Sequence, residues 1–370
     1  MNERPASLHV NTEHHWRGGE QQVLHLLEGL RSRGLRAELV AQPASPLAER
    51  AAAAGIAVHP VPMRGEWDVP AAIRIARIAR AGRFSILHLH TSRAHGLGRI
   101  ASILAPGPRV IVARRVIFPP RGRLNRWLKY LHGIDNYVAI SYAVRDTLTA
   151  AGVAADRIAV VPSGIDCDRC SGAAPAGLRA SCGLPASARL VGTVGHLERS
   201  KGQQDLIEAA ALLARELPDV FFALVGEGAG RAEFARQAAS LGIAERVIFT
   251  GFRADVPAVL ADFDLFVMPS HAEGLCTAAV EAMAAGLPVI ATAAGGLVEV
   301  VADGETGLLV PPRNPEALAN AIRRLLTDES LRRRMGAAAR ARAFDHFAVK
   351  NMVELTIRVY GKALQPQASA

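Results

Sequence analysis

Residues 262–322 read DFDLFVMPSHAEGLCTAAVEAMAAGLPVIATAAGGLVEVVADGETGLLVPPRNPEALANAI. An apolar run at 265–268 leads through a short polar loop into an Ala-rich segment where Val280, Met283 and Ala284 recur at helical spacing, and a second apolar run follows at 289–291. Two short strands joined by a helix form a βαβ unit with parallel strands. Glu273 falls in the strand-to-helix loop and Glu281 inside the helix, a spacing of E-x7-E. An ionised carboxylate among the apolar neighbours of Glu281 is costly unless partnered, and a pair of ligand hydroxyls is such a partner. The helix starts near Leu275, at the carboxyl end of a strand, so its free N–H groups and dipole point to where phosphates bind in an open α/β sheet. In isolation, an E-x7-E spacing reads more simply as a helix cap followed by an Arg-paired carboxylate. Here its surroundings favour the ligand.

The same alternation runs outward in both directions. Strands are expected at 7–10, 37–41, 57–61, 86–89, 110–113, 137–140 and 158–161, and again at 189–194, 220–225, 247–250, 265–268 and 289–291. Helical patterns such as Val23, Leu26, Leu27 and Leu30 fill the gaps. The pattern lapses at 166–185, where Gly, Pro, Ser and Cys cluster, and this reads as a linker. A helix opens at Pro315, and another covers 331–344. Residues 345–363 are placed to cross back to the first domain. The fold class is therefore α/β, with two Rossmann-like domains at 1–166 and 167–344 and the tail 345–370 returning to the first.

With 370 residues, 50% of them apolar, the chain has material for two cores. The net charge of +9 is uneven: residues 1–166 hold 22 Lys/Arg against 12 Asp/Glu, the remainder 21 against 22. Two readings stand for the basic first half: an anionic partner, or an Arg-rich composition without one. A basic stretch with large apolar residues, comprising Arg114, Arg115, Arg121, Arg123, Arg126 and Lys129 among Ile117, Phe118, Trp127, Leu128 and Tyr130, suits either an anionic bilayer surface or an ordinary solvated helix. No RNP, KH or zinc-finger pattern accompanies the charge, which disfavours nucleic acid. Cys167, Cys170, Cys182 and Cys276 include one CxxC without a second pair at zinc spacing, so free thiols in a reducing cytoplasm are expected. The start of the chain lacks a signal-peptide pattern, and no apolar run approaches the ~20 residues that span a bilayer. A cytoplasmic protein is expected, soluble or peripheral on the inner membrane face.

Residues 262–322, taken whole, resemble the family-4 retaining glycosyltransferases of GT-B fold, in which two Rossmann-like domains face a central cleft. The resemblance implies that Glu273 holds the donor sugar's hydroxyls, that the backbone of Gly274 and Leu275 meets the diphosphate, and that Glu281 binds the ribose. Gly295 and Gly296 fit a close backbone approach there. Upstream, VGHLERSKG at 194–202 is a strand followed by a basic loop, in which Lys201, by itself an ordinary solvated lysine, can neutralise the departing diphosphate under the resemblance. The family has an Arg directly after the strand glycine, whereas this chain has His196. The clamp is then Lys201 alone or Lys201 assisted by Arg199.

In the first domain, WRGGE at 16–20 joins a strand to a helix; the resemblance places Gly18 and Gly19 against the donor. His88 and His90 point to one face of their strand. His90, with His88 as the alternate, is assigned to the cleft. Arg114, Ser141 and Arg145 are candidate contacts for a phosphorylated acceptor. Asp262-Phe-Asp264 is read as structural and not as a metal-binding DxD, because the family works without a bound metal. No cofactor is implied beyond a nucleotide-diphosphate sugar as co-substrate. The reaction implied is transfer of a sugar, with retention, to a hydroxyl of a glycan or glycolipid such as a lipopolysaccharide core. Two competing classes remain: a nucleotide-sugar epimerase, which converts donor without acceptor, and a non-catalytic nucleotide-sugar or anion-binding module, which binds without turnover.

Overall fold

The computed structural model describes residues 4–117, 130 and 132–365. The chain divides into two compact units, one formed by Met1–Gly164 with Val349–Ala370, the other by Ile165–Ala348. The sequence reading set the divisions at 166/167 and 344/345.

The first unit carries strands β1 (Ser7–Val10), β2 (Ala37–Ala41), β3 (Val58–Pro60), β4 (Ile86–Leu89), β5 (Arg109–Arg114), β6 (Asn136–Ala139) and β7 (Ile158–Val160). They form a parallel sheet in the order β3-β2-β1-β4-β5-β6-β7. β1 and β4 are buried at every residue, as strands covered on both faces must be. The helix Gly18–Ser32 buries Val23, Leu26, Leu27 and Leu30. The helix Val349–Leu364 returns to this unit. Its Val353 lies so close to Gly29 that an added Cβ there would stand 2.3 Å from a Val353 methyl, and its Tyr360 is buried.

The second unit carries β8 (Arg189–Val194), β9 (Val220–Val225), β10 (Val247–Gly251), β11 (Leu265–Met268), β12 (Val289–Thr292) and β13 (Gly307–Val310), parallel in the order β10-β9-β8-β11-β12-β13. In each sheet the order reverses once, between β1 and β4 and between β8 and β11. The crevice outside the carboxyl ends of those strand pairs is where open α/β sheets take ligands. Each unit is Rossmann-like by itself.

Three local readings change. The expected strand 57–61 shortens to β3, an edge strand whose Pro60 has no N–H to donate. β13 was absent from the sequence reading because four residues opening on Gly carry too little period. The segment read as a linker is packed: Cys167 and Cys170 are buried in the helix Cys167–Ser171, and the carboxylate of Asp262 accepts the N–H of Leu178 at 3.1 Å. All four cysteines are free thiols.

Candidate functional site

The loops after β8 and β11 are stitched together. Gly202 sits at φ +70°, and a Cβ there would stand 2.0 Å from the Pro269 carbonyl oxygen, so only glycine lets the two loops touch. The His271 amide donates to the Ser200 carbonyl at 2.9 Å, and the His271 ring meets the Asp205 carboxylate at 2.8 Å. This brings Lys201 Nζ within 2.7 Å of Glu273 Oε1, to which the buried hydroxyl of Ser270 also donates at 2.9 Å. Thr292 holds the Ser270 carbonyl from β12. Glu273 Oε2 receives no donor among the described residues. Burial by itself would push the Lys201 ammonium down, but the adjacent Glu273 carboxylate more than offsets it and holds Lys201 above the ordinary lysine value.

Beyond Glu273, the amides of Gly274 and Leu275 donate to no group among the described residues, and Leu275 is 2% exposed. Two N–H groups at the entry to the helix Thr277–Ala284 are thus left for an anion. Gly295 and Gly296 back this loop. The Gly296 amide donates to the Glu273 carbonyl at 2.9 Å, and Cβ atoms on Gly295 and Gly296 would stand 2.1 Å from the carbonyl oxygens of Glu273 and Gly274. Those obstacles are backbone and cannot swing away. Gly296→Ala is therefore expected to cost roughly 1–3 kcal/mol of overpacking and to weaken nucleotide binding more than tenfold, as read by thermal melting and titration calorimetry.

Glu281 lies on the helix behind this loop and makes no side-chain hydrogen bond among the described residues. Burial raises its carboxyl to about 7, partly opposed by Arg169 on the facing helix Cys167–Ser171. The ring of His196 is exposed, and Arg199 turns to the surface to pair with Glu233 at 2.5 Å, so Lys201 is the cation the fold brings to Glu273. The DxD-like carboxylates are already engaged: Asp264 meets Arg179 at 2.7 Å and the Leu190 amide at 2.8 Å.

In the first unit, His90 is joined by two groups the sequence reading passed over. His9 from β1, His88 from β4 and His90 directly after β4 lie together, all buried. Arg115 donates to His90 Nδ1 at 3.5 Å. A guanidinium only donates, so the His90 proton is on Nε2 and goes to His9 Nδ1, 2.9 Å away; the His9 proton then goes to Ser7 Oγ at 3.0 Å. Tyr360 closes the cluster at 2.7 Å from His88 Nδ1. Burial, reinforced by Arg115, pulls His9 down to about 3 and holds the other two well below the ordinary histidine value, so all three are neutral. The three rings lie close enough to suggest a metal centre. However, the hydrogen bonds occupy both nitrogens of His9 and His90, and a guanidinium adjoins them.

Gly18 and Gly19 open the helix Gly18–Ser32, and their amides donate to nothing among the described residues. Arg114 donates to the Tyr130 hydroxyl at 3.2 Å. Ser141, with no exposure, caps the helix Tyr142–Ala150 by accepting the Val144 amide. Arg145 pairs with Asp146 and lies over the Tyr142 ring, lining a cavity of about 430 Å³ beside β7. The basic stretch from 121 to 129 lies outside the described residues.

Residues 178–342 match the family described as glycosyl transferases group 1, and residues 16–169 match Glycosyltransferase Family 4. A D-inositol 3-phosphate glycosyltransferase of Frankia alni is 34% identical over 308 residues, 79% of this chain and 72% of that protein. The chain belongs to glycosyltransferase family 4. A lipopolysaccharide core biosynthesis glycosyltransferase, LpsE of Rhizobium meliloti, is 38% identical over 157 residues, 42% of this chain and 45% of that one. Against several curated relatives at 36–38% identity, this family-4 chain covers about half their length. Among solved structures, HepE of Anabaena in complex with UDP superimposes with a TM-score of 0.86 at 25% identity, covering 96% of this chain and 100% of that one.

Proposed function

We propose that this family-4 chain is a retaining, metal-independent glycosyltransferase. It moves a sugar from a nucleotide-diphosphate sugar to a hydroxyl of a lipid-linked or phosphorylated glycan, of which a lipopolysaccharide core is one example. The carrying observation is the Lys201–Glu273 pair, with Glu273 Oε2 and the amides of Gly274 and Leu275 left without partners beside it. Lys201 and the two amides stabilise the charge that builds on the leaving diphosphate. Glu273 Oε2 accepts from a donor-sugar hydroxyl, and Glu281 accepts from the ribose. In the first unit, Gly18 and Gly19 offer amides to a ligand, and His90 supports that unit's ligand surface. No side chain is placed as a nucleophile: burial raises the Cys276 thiol, so it holds its proton. The donor phosphate is left to accept the acceptor's proton.

The test is a donor screen, starting with uridine diphosphate sugars because HepE was crystallised with UDP. It measures nucleotide release with and without lipid-linked acceptors, in EDTA, followed by product stereochemistry. Acceptor-dependent release with retention supports the reading. Donor conversion without acceptor would make the chain an epimerase, and binding without turnover a binding module.

Association with an anionic membrane is part of the proposal. Arg74, Arg77 and Arg80 are exposed along the helix Val69–Ala81, and Arg80 reaches the Leu104 carbonyl beside exposed Ile103 and Leu104. No helix among the described residues is long and apolar enough to cross a membrane. Flotation with vesicles containing anionic lipid is expected to carry the protein, and Ile103→Glu with Leu104→Glu to release it. Equal flotation with neutral vesicles would remove the charge from the account.

A further inference from the structure

Arg115 follows β5 directly, one strand from the point where the order of the first sheet reverses. Its Nη1 donates to the His90 carbonyl at 3.3 Å and its Nη2 to His90 Nδ1 at 3.5 Å, while its buried Nε meets no acceptor. Both bonds are long for a charged donor. No described carboxylate pairs with this guanidinium. Glu20, whose charge it senses, already accepts from the Asn11 side chain and the Arg17 amide. The histidines beneath are neutral and supply no counter-charge.

Several other partly buried arginines meet a carboxylate, while Arg157, Arg246, Arg332 and Arg342 donate to backbone carbonyls. Arg109 has Asp135, Arg179 has Asp262 and Asp264, Arg189 has Asp219, and Arg323 has Glu216. A desolvated cation without an anion is costly, and burial, opposed by Glu20, lowers Arg115 to about 10. The fold nevertheless fixes it with two bonds to His90, at the carboxyl edge where a sheet of this order takes its ligand. Arg114 is spent on Tyr130. Among the described residues, Arg115 therefore has no counter-charge at this edge.

We propose that Arg115 binds an anionic oxygen substituent, a phosphate or a carboxylate, carried by the acceptor. This rests on the reading above that the first unit takes the acceptor. Of the two sources of such oxygens, the acceptor is favoured because the donor diphosphate already has Lys201 and the amides of Gly274 and Leu275 in the second unit. His90 is a positioning residue that aims the guanidinium.

The experiment uses the full chain and three matched pairs of probes: inositol and inositol 3-phosphate, glucose and glucose 6-phosphate, galactose and galacturonate. Titration calorimetry measures binding in the presence of UDP for wild type, Arg115→Gln and Arg115→Lys, with UDP binding measured separately and folding checked by thermal melting. For at least one pair, wild type is expected to bind the anionic member about 10- to 100-fold more tightly, the range of a charge-assisted contact. Arg115→Gln should bind both members alike, Arg115→Lys should keep part of the preference, and UDP affinity should not change. The proposal is overturned if wild type shows no preference in any pair, if Arg115→Gln keeps it, or if Arg115→Gln weakens UDP as much as the anionic probe. If Arg115→Gln does not fold, Arg115→Lys decides: an undiminished preference for a phosphate that should need the planar fork counts against the proposal. Failure of wild type to bind UDP at all would instead strike the donor-site reading, which the probe arms do not use.

Discussion

Lys201→Ala is expected to lower kcat about 10²- to 10³-fold, the loss found when one preorganised charge-stabilising group is removed from an active site. Donor affinity should change far less, because the interaction strengthens only as the diphosphate leaves. The variant also strips Glu273 of its cation. The Glu273 side chain is 10% exposed and that of Lys201 26%, and Ser270 alone would then hold Oε1. A loss of about 1–3 kcal/mol of stability follows from a carboxylate left half-satisfied. The double variant Lys201→Ala with Glu273→Gln should recover stability, since the orphaned charge is gone, yet remain inactive. Steady-state nucleotide release and thermal melting on the four proteins of this cycle separate the two roles. Turnover of Lys201→Ala within tenfold of wild type would remove Lys201 from the chemistry.

Much of this fold is written locally. β1, β2, β4, β8, β9 and β11 begin and end at the residues where short β-branched or Leu-rich runs begin and end, because strands covered on both faces read as mostly apolar runs even with Ser7, His9, Glu38, His88, Arg189 and Thr193 among them. Gly296 was legible as a close approach, though not the atoms it approaches. The rest depends on contacts between residues far apart in the chain. His271 and Glu273 lie within the quoted motif, but their partners Asp205 and Lys201 come from residues about 70 positions earlier. His9 and Tyr360 stand 351 residues apart and meet in one cluster. Arg114 and Arg115 are chemically identical in sequence; only the fold shows that the first donates to Tyr130 and the second to His90, with no carboxylate of the described residues beside it. In the same way, Arg199 and Lys201 share a loop, yet the turn between them sends one to Glu233 and the other to Glu273.

Glu281 gives the second large effect, and it depends on pH. In the ligand-free protein its carboxyl lies at about 7, raised by burial. Ribose hydroxyls donate hydrogen bonds best to the ionised form, so nucleotide binding at Glu281 expels a proton, and affinity should fall about tenfold per unit as pH drops below 7. Glu281→Gln should bind UDP about 10- to 100-fold more weakly at pH 8, where the charged acceptor is lost, and with little pH dependence between 5.5 and 8. The same carboxyl acts oppositely on folding. Its folded value is above its unfolded value, so between the two the native state binds the extra proton and stability falls as pH rises. Glu281→Gln should accordingly be more stable than wild type at pH 8 and lose that advantage near pH 5. Calorimetry against UDP and melting curves over this range measure both arms. A wild-type affinity flat across pH 7 would show that Glu281 does not meet the ribose in its charged form. A donor-binding residue whose removal stabilises the empty protein is what is expected of a carboxylate held in an apolar setting for a ligand's hydroxyls and not for the fold.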